Sequence, residues 1–160
     1  MKKQKGFSLI ELLIVVAIIL IIAAIAIPNL IRSKMAANEA SAVASLRTIN
    51  TGEVTYNNTY PNTWATLAQL GPGGATCGTP SSSNACLVDN LLAGATTAAN
   101  AKSGYFFKVT PSNPTGYTSD AEPANANTTG TRGFCSDQNL VLFYIAVAGT
   151  CTPGSGSTPL

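Results

Sequence analysis

Side chains able to do chemistry are few in this 160-residue sequence. It holds no histidine, which excludes Ser-His-Asp and Cys-His catalysis and any His-ligated metal. The carboxylates are Glu11, Glu39, Glu53, Asp89, Asp120, Glu122 and Asp137. Only Asp120 and Glu122 are close neighbours, and strand alternation would place both on one face. No His, Lys or Cys stands beside them to support acid–base work, so a solvated face is expected, not an enzyme. A calcium site from Asp120, Glu122 and Asp137 is the alternative, without EF-hand spacing behind it. No catalytic residue, cofactor or metal is assigned. The four cysteines, Cys77, Cys86, Cys135 and Cys151, contain no C-x2-C pair, so two disulfides in an oxidising compartment are expected over a thiolate zinc site. Of the three possible connectivities, nearest-neighbour pairing is expected, Cys77–Cys86 and Cys135–Cys151.

Glu11 stands apart because of its surroundings. The chain opens with Lys2, Lys3 and Lys5, then Gly6-Phe7-Ser8-Leu9-Ile10-Glu11, then an unbroken apolar run from Leu12 to Ile27, closed by Pro28. A secretory signal peptide has a basic start, a short apolar core and an A-x-A site, which Ala24-Ile25-Ala26 would provide. The span from Phe7 to Ile27, however, is about 31 Å as a helix and matches a bilayer core. It also carries a glutamate, and helix-forming sequence continues past the supposed cut. An ionisable group at the centre of a membrane helix costs roughly 2.5–3.5 kcal/mol, less near the interface, so such a residue is expected to be functional. A cut between Gly6 and Phe7 would leave a cationic amine four residues from Glu11. In apolar surroundings each charge would need the other, within a chain or between neighbours. The carboxylate would also complement the helix dipole.

These residues resemble a known family. Gly6-Phe7-Ser8-Leu9-Ile10-Glu11-Leu12, preceded by lysines and followed by the apolar run and Ala26-Ile27-Pro28, is similar to the N-terminus of type IV pilins and type II secretion pseudopilins. The likeness is close from residue 2 to about 35. It implies cleavage after Gly6 by the prepilin peptidase, N-methylation of Phe7, and pairing of Glu11 with the N-terminus of an adjacent subunit. It implies a kink at Pro28 and, as partners, identical subunits in a helical filament with the inner-membrane platform, assembly ATPase and secretin of the machine. It also implies a single pass through the inner membrane before assembly and an extracellular filament after it.

The elements that must position these groups follow from periodicity. Charged residues are only 10% of the chain, against roughly 25% in soluble domains. The net charge of +2 comes from the leading lysines and gives no footprint for nucleic acid. A helix is expected from Phe7 to about Tyr56, kinked at Pro28, with positions 36, 40, 43, 46 or 47, and 50 forming its inner face. Arg32, Lys34 and Arg47 are expected as membrane-proximal or intersubunit charges. Thr63 is expected to cap a short helix carrying Trp64, Leu67 and Leu70 inward. A second short helix is expected within Leu87–Ala101. Strands are expected at Tyr105–Thr110, Gly116–Ala121, Arg132–Ser136 and Leu140–Val147, with a turn at Asp137-Gln138-Asn139. Thr152–Leu160 reads as a flexible tail. Asn57 and Asn127 match the glycosylation pattern formally.

The sum is an α+β fold: a long N-terminal helix, half transmembrane and half amphipathic, on a small antiparallel sheet of three or four strands. The expected divisions are a leader at 1–6, an assembly helix at 7–28, the amphipathic half at 29–57 and a disulfide-bonded head at 58–160. The expected function is a pilus subunit, with a type II secretion pseudopilin or a non-polymerising membrane-tethered binding protein as alternatives.

Overall fold

The computed structural model describes residues 7–160. The chain forms two compact units, divided after Lys34, and the first helix contributes residues to both. That helix, α1, is assigned from Leu9 to Thr59. Pro28 lies inside it and removes one backbone donor, the one that would reach the Ala24 carbonyl, without ending the helix.

Within the unit Met35–Leu160 the fold is α+β. α1 is followed by two short helices, α2 (Leu67–Leu70) and α3 (Asn90–Gly94), and a 3₁₀ turn at Ala98–Asn100. An antiparallel sheet then runs in simple sequence order: β1 (Tyr105–Ser112), β2 (Gly116–Pro123), β3 (Gly133–Asp137), β4 (Leu142–Ile145) and β5 (Thr158–Pro159). Alternation sends Tyr105, Phe107 and Val109 of β1, Tyr117 and Ala121 of β2, and Phe134 of β3 into one apolar core. Ala42, Leu46, Ile49 and Tyr56 of α1 meet them there, with Leu67, Leu70 and Leu92 from the short helices.

Four expectations change. The inner face of α1 is Glu39, Ala42, Ser45, Leu46, Ile49, Asn50, Gly52, Glu53 and Tyr56. The expected stripe holds in its second half, where Leu46 and Asn50 are buried and Val43 is half-buried against the core, but not in its first, where Ala36 and Ala40 are exposed. The pattern was hidden because polar side chains occupy core-facing positions. The cap of α2 is Thr66, not Thr63: Asn62 takes φ +61°, and Thr66 forms a reciprocal capping box with Gln69. The Leu87–Ala101 segment is helical only at Asn90–Gly94 and Ala98–Asn100, α3 being capped by Asp89, whose carboxylate accepts the Leu92 N–H at 2.7 Å. The tail is not wholly loose. Thr158–Pro159 pairs with β4 as a fifth strand, and Leu160 N–H donates to the Leu142 carbonyl at 2.9 Å. A free strand edge offers unpaired backbone groups, which even a tail rich in Pro and Gly can use.

Candidate functional site: the exposed apolar helix and its carboxylates

From Phe7 to Leu30 every residue is exposed except Ala23, which is half-buried. Phe7 is 83% exposed, and large aliphatic side chains follow at nearly every position to Leu30. A monomeric surface rarely carries so continuous an apolar patch, so this one calls for lipid or protein around it. The helix is long and apolar enough to cross a membrane. Its chemistry is confined to the start. Glu11 Oε2 accepts the backbone N–H of Ser8 at 2.9 Å, just before the first turn. Ser8-x-x-Glu11 thus supplies the glutamate half of a capping box, a local role that its charge alone did not reveal. The sequence held the signal, since Ser followed three residues later by Glu marks a helix start. Gly6 lies outside the described residues.

Two further carboxylates of α1 lie in the other unit and are buried. Glu39 Oε1 accepts from the Thr131 N–H at 2.9 Å, the Thr131 hydroxyl at 3.0 Å and the Arg132 N–H at 3.3 Å. Its Oε2 takes Arg132 Nε at 2.8 Å and the guanidinium Nη2 at 2.7 Å. Burial works to raise the Glu39 carboxyl, but the Thr131 and Arg132 donors outweigh it and hold the group below the usual range. One residue earlier, Asn38 donates to the Thr129 carbonyl at 2.8 Å. Together these bonds fasten α1 to the β2–β3 connection. Arg132 also lies over the Phe134 and Tyr144 rings, 5.5 and 5.7 Å from their centroids.

Glu53 contrasts with it. It has no accessible surface, and burial pushes its carboxyl up to about 7 although the Ala65 N–H bond opposes the shift. Between the two glutamates, Asn50 donates to the Ser136 hydroxyl at 2.8 Å and accepts from the Tyr117 hydroxyl at 2.9 Å. This buried network joins α1 to β2 and β3. Position 50 was expected on the inner face, whereas Glu39 and Glu53 did not stand out as buried in the sequence, although their spacing with Ala42, Leu46, Ile49 and Tyr56 follows one helix face.

The remaining candidates are placed as follows. Cys77 pairs with Cys86 and Cys135 with Cys151, with S–S distances of 2.05 and 2.01 Å. Asp120 and Glu122 share the sheet face that carries Cys135, and Asp120 lies opposite Lys108 in the β1–β2 register. Burial, with Glu122 alongside, pushes the Asp120 carboxyl up to about 6 against the pull of Lys108. Asp137 does not join them: it accepts from Asn139 N–H at 2.9 Å and Asn139 Nδ2 at 3.1 Å within its own turn. Among the described residues, no three Asp, Glu, His or Cys side chains converge as a metal site. Trp64 is half-buried in the connector before α2, with its ring 5.1 Å from that of Tyr117. Arg47 lines a shallow groove of about 340 Å³ with Thr51, Val54 and Leu140. Asn57 Nδ2 donates to the Thr63 carbonyl at 3.1 Å, and Asn127 is exposed in a turn.

Comparison with known proteins bears on the same N-terminal segment. Residues 1–27 match the prokaryotic N-terminal methylation motif. The chain is 45% identical over 74 residues to the type IV wide pilus major component of Thermus thermophilus, covering 44% of this chain and 56% of that protein. It is 44% identical over 54 residues to the type IV major pilin protein of Myxococcus xanthus, covering 34% and 24%. It is 33% identical over 71 residues to the type II secretion system core protein G of Pectobacterium carotovorum, covering 42% and 46%. The likeness therefore spans between a quarter and just over half of those relatives' lengths. A matching methylation motif, an exposed apolar helix behind it and relatives of these two kinds agree: the chain carries a prepilin-type N-terminal motif over residues 1–27 and is similar, over part of its length, to type IV pilins and to a type II secretion core protein.

Proposed function

We propose that this chain is the structural subunit of a type IV pilus. It is cut after Gly6 and N-methylated on Phe7 by the prepilin peptidase and methyltransferase, leaving 1–6 as leader. The segment 7–28 holds it in the inner membrane as a single pass, and 29–57 and 58–160 form the body that faces outward. At the base of the filament, worked by the platform, assembly ATPase and secretin, apolar side chains of 7–28 exchange lipid for neighbouring helices. The observation that carries this reading is the helix itself: exposed apolar side chains at nearly every position with one carboxylate at its start.

In this reading Glu11 leaves its Ser8 N–H and faces the Phe7 amine of the subunit just added. Opposite charges in a low-dielectric bundle attract more strongly than in water, while desolvation consumes much of that gain. The larger effect is register, because a slip of one helical turn would bury both charges unpaired. Pro28 frees one carbonyl in the helix, so the segment around it is the place where α1 bends or loosens on assembly.

The experiment is expression of Gly6→Val as the only copy. The expected result is a full-length precursor in the membrane fraction and no sheared filaments; normal filaments would overturn the prepilin reading. Mass spectrometry of the wild-type N-terminus should give methylated Phe7, whereas a cut after Ala26 would point to a secreted protein. The type II secretion relative favours a second reading, a pseudopilin. Long surface filaments support the first reading. Loss of protein secretion on deletion, without surface filaments, supports the second.

A further inference from the structure

Glu53 sits on α1 with no accessible surface, and its Oε1 has no hydrogen-bond partner. Its Oε2 accepts one bond, from the Ala65 N–H at 3.0 Å. Among the described residues no cation lies within ion-pair distance of it. The ionisable groups on which its charge would act are the Tyr56 hydroxyl on α1 itself and the Tyr117 hydroxyl of β2, both uncharged near neutrality; Tyr60 flanks Tyr56, and Asp137 at the end of β3 also acts on Tyr117. Ala65 and α2 bring no ionisable side chain, and the sequence holds no basic residue between Arg47 and Lys102. A carboxylate so placed has two ways out: it keeps its proton, or one wall of its chamber moves to admit water.

The walls are unequal. α1 is held by its own helical bonds and by Asn50, and β2 by ladders on both sides. The connector from Tyr60 to Ala65 belongs to no helix or strand. Its ties to the rest of the fold are few: the Tyr60 N–H to the Tyr56 carbonyl at 2.8 Å, Ala65 to Glu53, the Thr63 carbonyl to Asn57, and Trp64 to the β1–β2 turn. There the Trp64 N–H donates to Asn113 Oδ1, Asn113 Nδ2 returns a bond to the Trp64 carbonyl at 3.4 Å, and the indole N–H reaches the Pro114 carbonyl at 3.4 Å. The connector is the wall that gives.

We propose that Glu53 is a proton-operated latch: protonated, it closes the connector around Ala65 onto α1, and on ionising it opens that connector to water. Burial supports this, holding the carboxyl at about 7 in the closed form against an ordinary 4.5. The closed state therefore binds more protons than the open one between those values. It is favoured at low pH and loses up to about 300-fold in its closing equilibrium as pH rises from 4.5 through 7. Opening would also free Trp64 from Tyr117 and from the β1–β2 turn. The latch does not depend on whether the chain is a pilin or a pseudopilin.

The test uses the full chain in detergent micelles at pH 5.5 and 8.5. Hydrogen exchange of the peptide spanning 60–70 is corrected for its intrinsic pH dependence, and emission of Trp64, the single tryptophan, is followed between these limits. Wild type should lose at least tenfold in protection, and its emission should move to longer wavelength with a midpoint near 7. Glu53→Gln should hold both constant. Asp120→Asn should respond as wild type does, separating the latch from the other carboxyl that burial raises. Equal protection at both pH values in wild type, or an unchanged response in Glu53→Gln, would overturn the proposal. Should Glu53→Gln fail to fold, carbon-13 NMR of the wild-type carboxyl decides: a midpoint near 7 supports the latch and one below 5 overturns it.

Discussion

Two stretches of α1 invert the usual link between hydrophobicity and burial. From Leu9 to Leu30 the helix is aliphatic apart from Glu11 and Asn29, and no residue is fully buried. From Met35 to Thr59 it is mixed, yet it supplies nine residues to the buried face, among them Glu39, Ser45, Asn50 and Glu53. Burial follows from partners, not from side-chain type. The second stretch has a sheet whose polar groups answer its own: Ser136 and Tyr117 for Asn50, Thr131 and Arg132 for Glu39. The first stretch has no such partner, and its apolar surface fits lipid or like helices, where backbone groups satisfy themselves within the helix.

The three glutamates of α1 measure the same contrast. Glu11 is exposed and accepts one backbone N–H. Glu39 is buried with a full set of donors and a cation, and is held ionised. Glu53 is sealed with a single donor, and its proton is retained toward neutrality. Burial raises the carboxyl of both Glu39 and Glu53, and only at Glu39 do several donors and a countercharge together outweigh it.

The largest effect is expected at Glu11. Glu11→Leu should reach the membrane and be cut as wild type is, but sheared filaments should fall more than tenfold. Glu11→Gln separates charge from capping, since its amide oxygen can still accept the Ser8 N–H. It should assemble as poorly as Glu11→Leu; wild-type yield would show that the capping bond, not the charge, is what assembly needs.

Next is the contrast in apolar side chains. Leu46→Ala, in the core, should lower unfolding stability by roughly 2–5 kcal/mol. Leu20→Ala, in the exposed stretch, should leave it within about 0.5 kcal/mol. Urea unfolding in micelles followed by Trp64 emission would read both. An equal loss from Leu20→Ala would break the distinction between the two stretches.

The smallest is electrostatic. Glu39→Ala should cost about 2 kcal/mol at pH 7, discounted because Arg132 is 41% exposed. The folded pKa of Glu39 is depressed, so its contribution is present above its unfolded value near 4.5 and is lost as pH falls through the lower folded one. Unfolding midpoints of wild type and variant should therefore converge on going from pH 7 to pH 3. A gap that stays constant would mean that the lost packing, not the charge, carries the effect.

Much of the molecule was legible because local rules carried it. An unbroken apolar run, Asp137-Gln138-Asn139 with its turn bonds, and alternating Tyr105, Phe107 and Val109 each declare an element without reference to the rest. Thr66 was missed as a cap because Thr63 offered the same chemistry three residues earlier, and only the turn at Asn62 excluded it. The face of α1 was legible at Val43, Leu46 and Asn50 but not at Glu39 and Glu53, for a deeper reason. A polar residue is admitted to a core only if another part of the chain meets its hydrogen bonds, and those partners lie far off in sequence: Thr131 for Glu39, Ser136 for Asn50.

The sequence by itself determined the prepilin-type N-terminus, the length of its apolar helix and the alternation that makes a sheet, because each depends on neighbours within a few residues. Only the tertiary structure decided that Glu39 and Glu53 join the inward face of α1, which carboxylates are neutral or charged, and that a tail of Pro, Gly and Ser ends as a fifth strand. Those outcomes depend on desolvation and on donors brought together from distant positions, which no local pattern records.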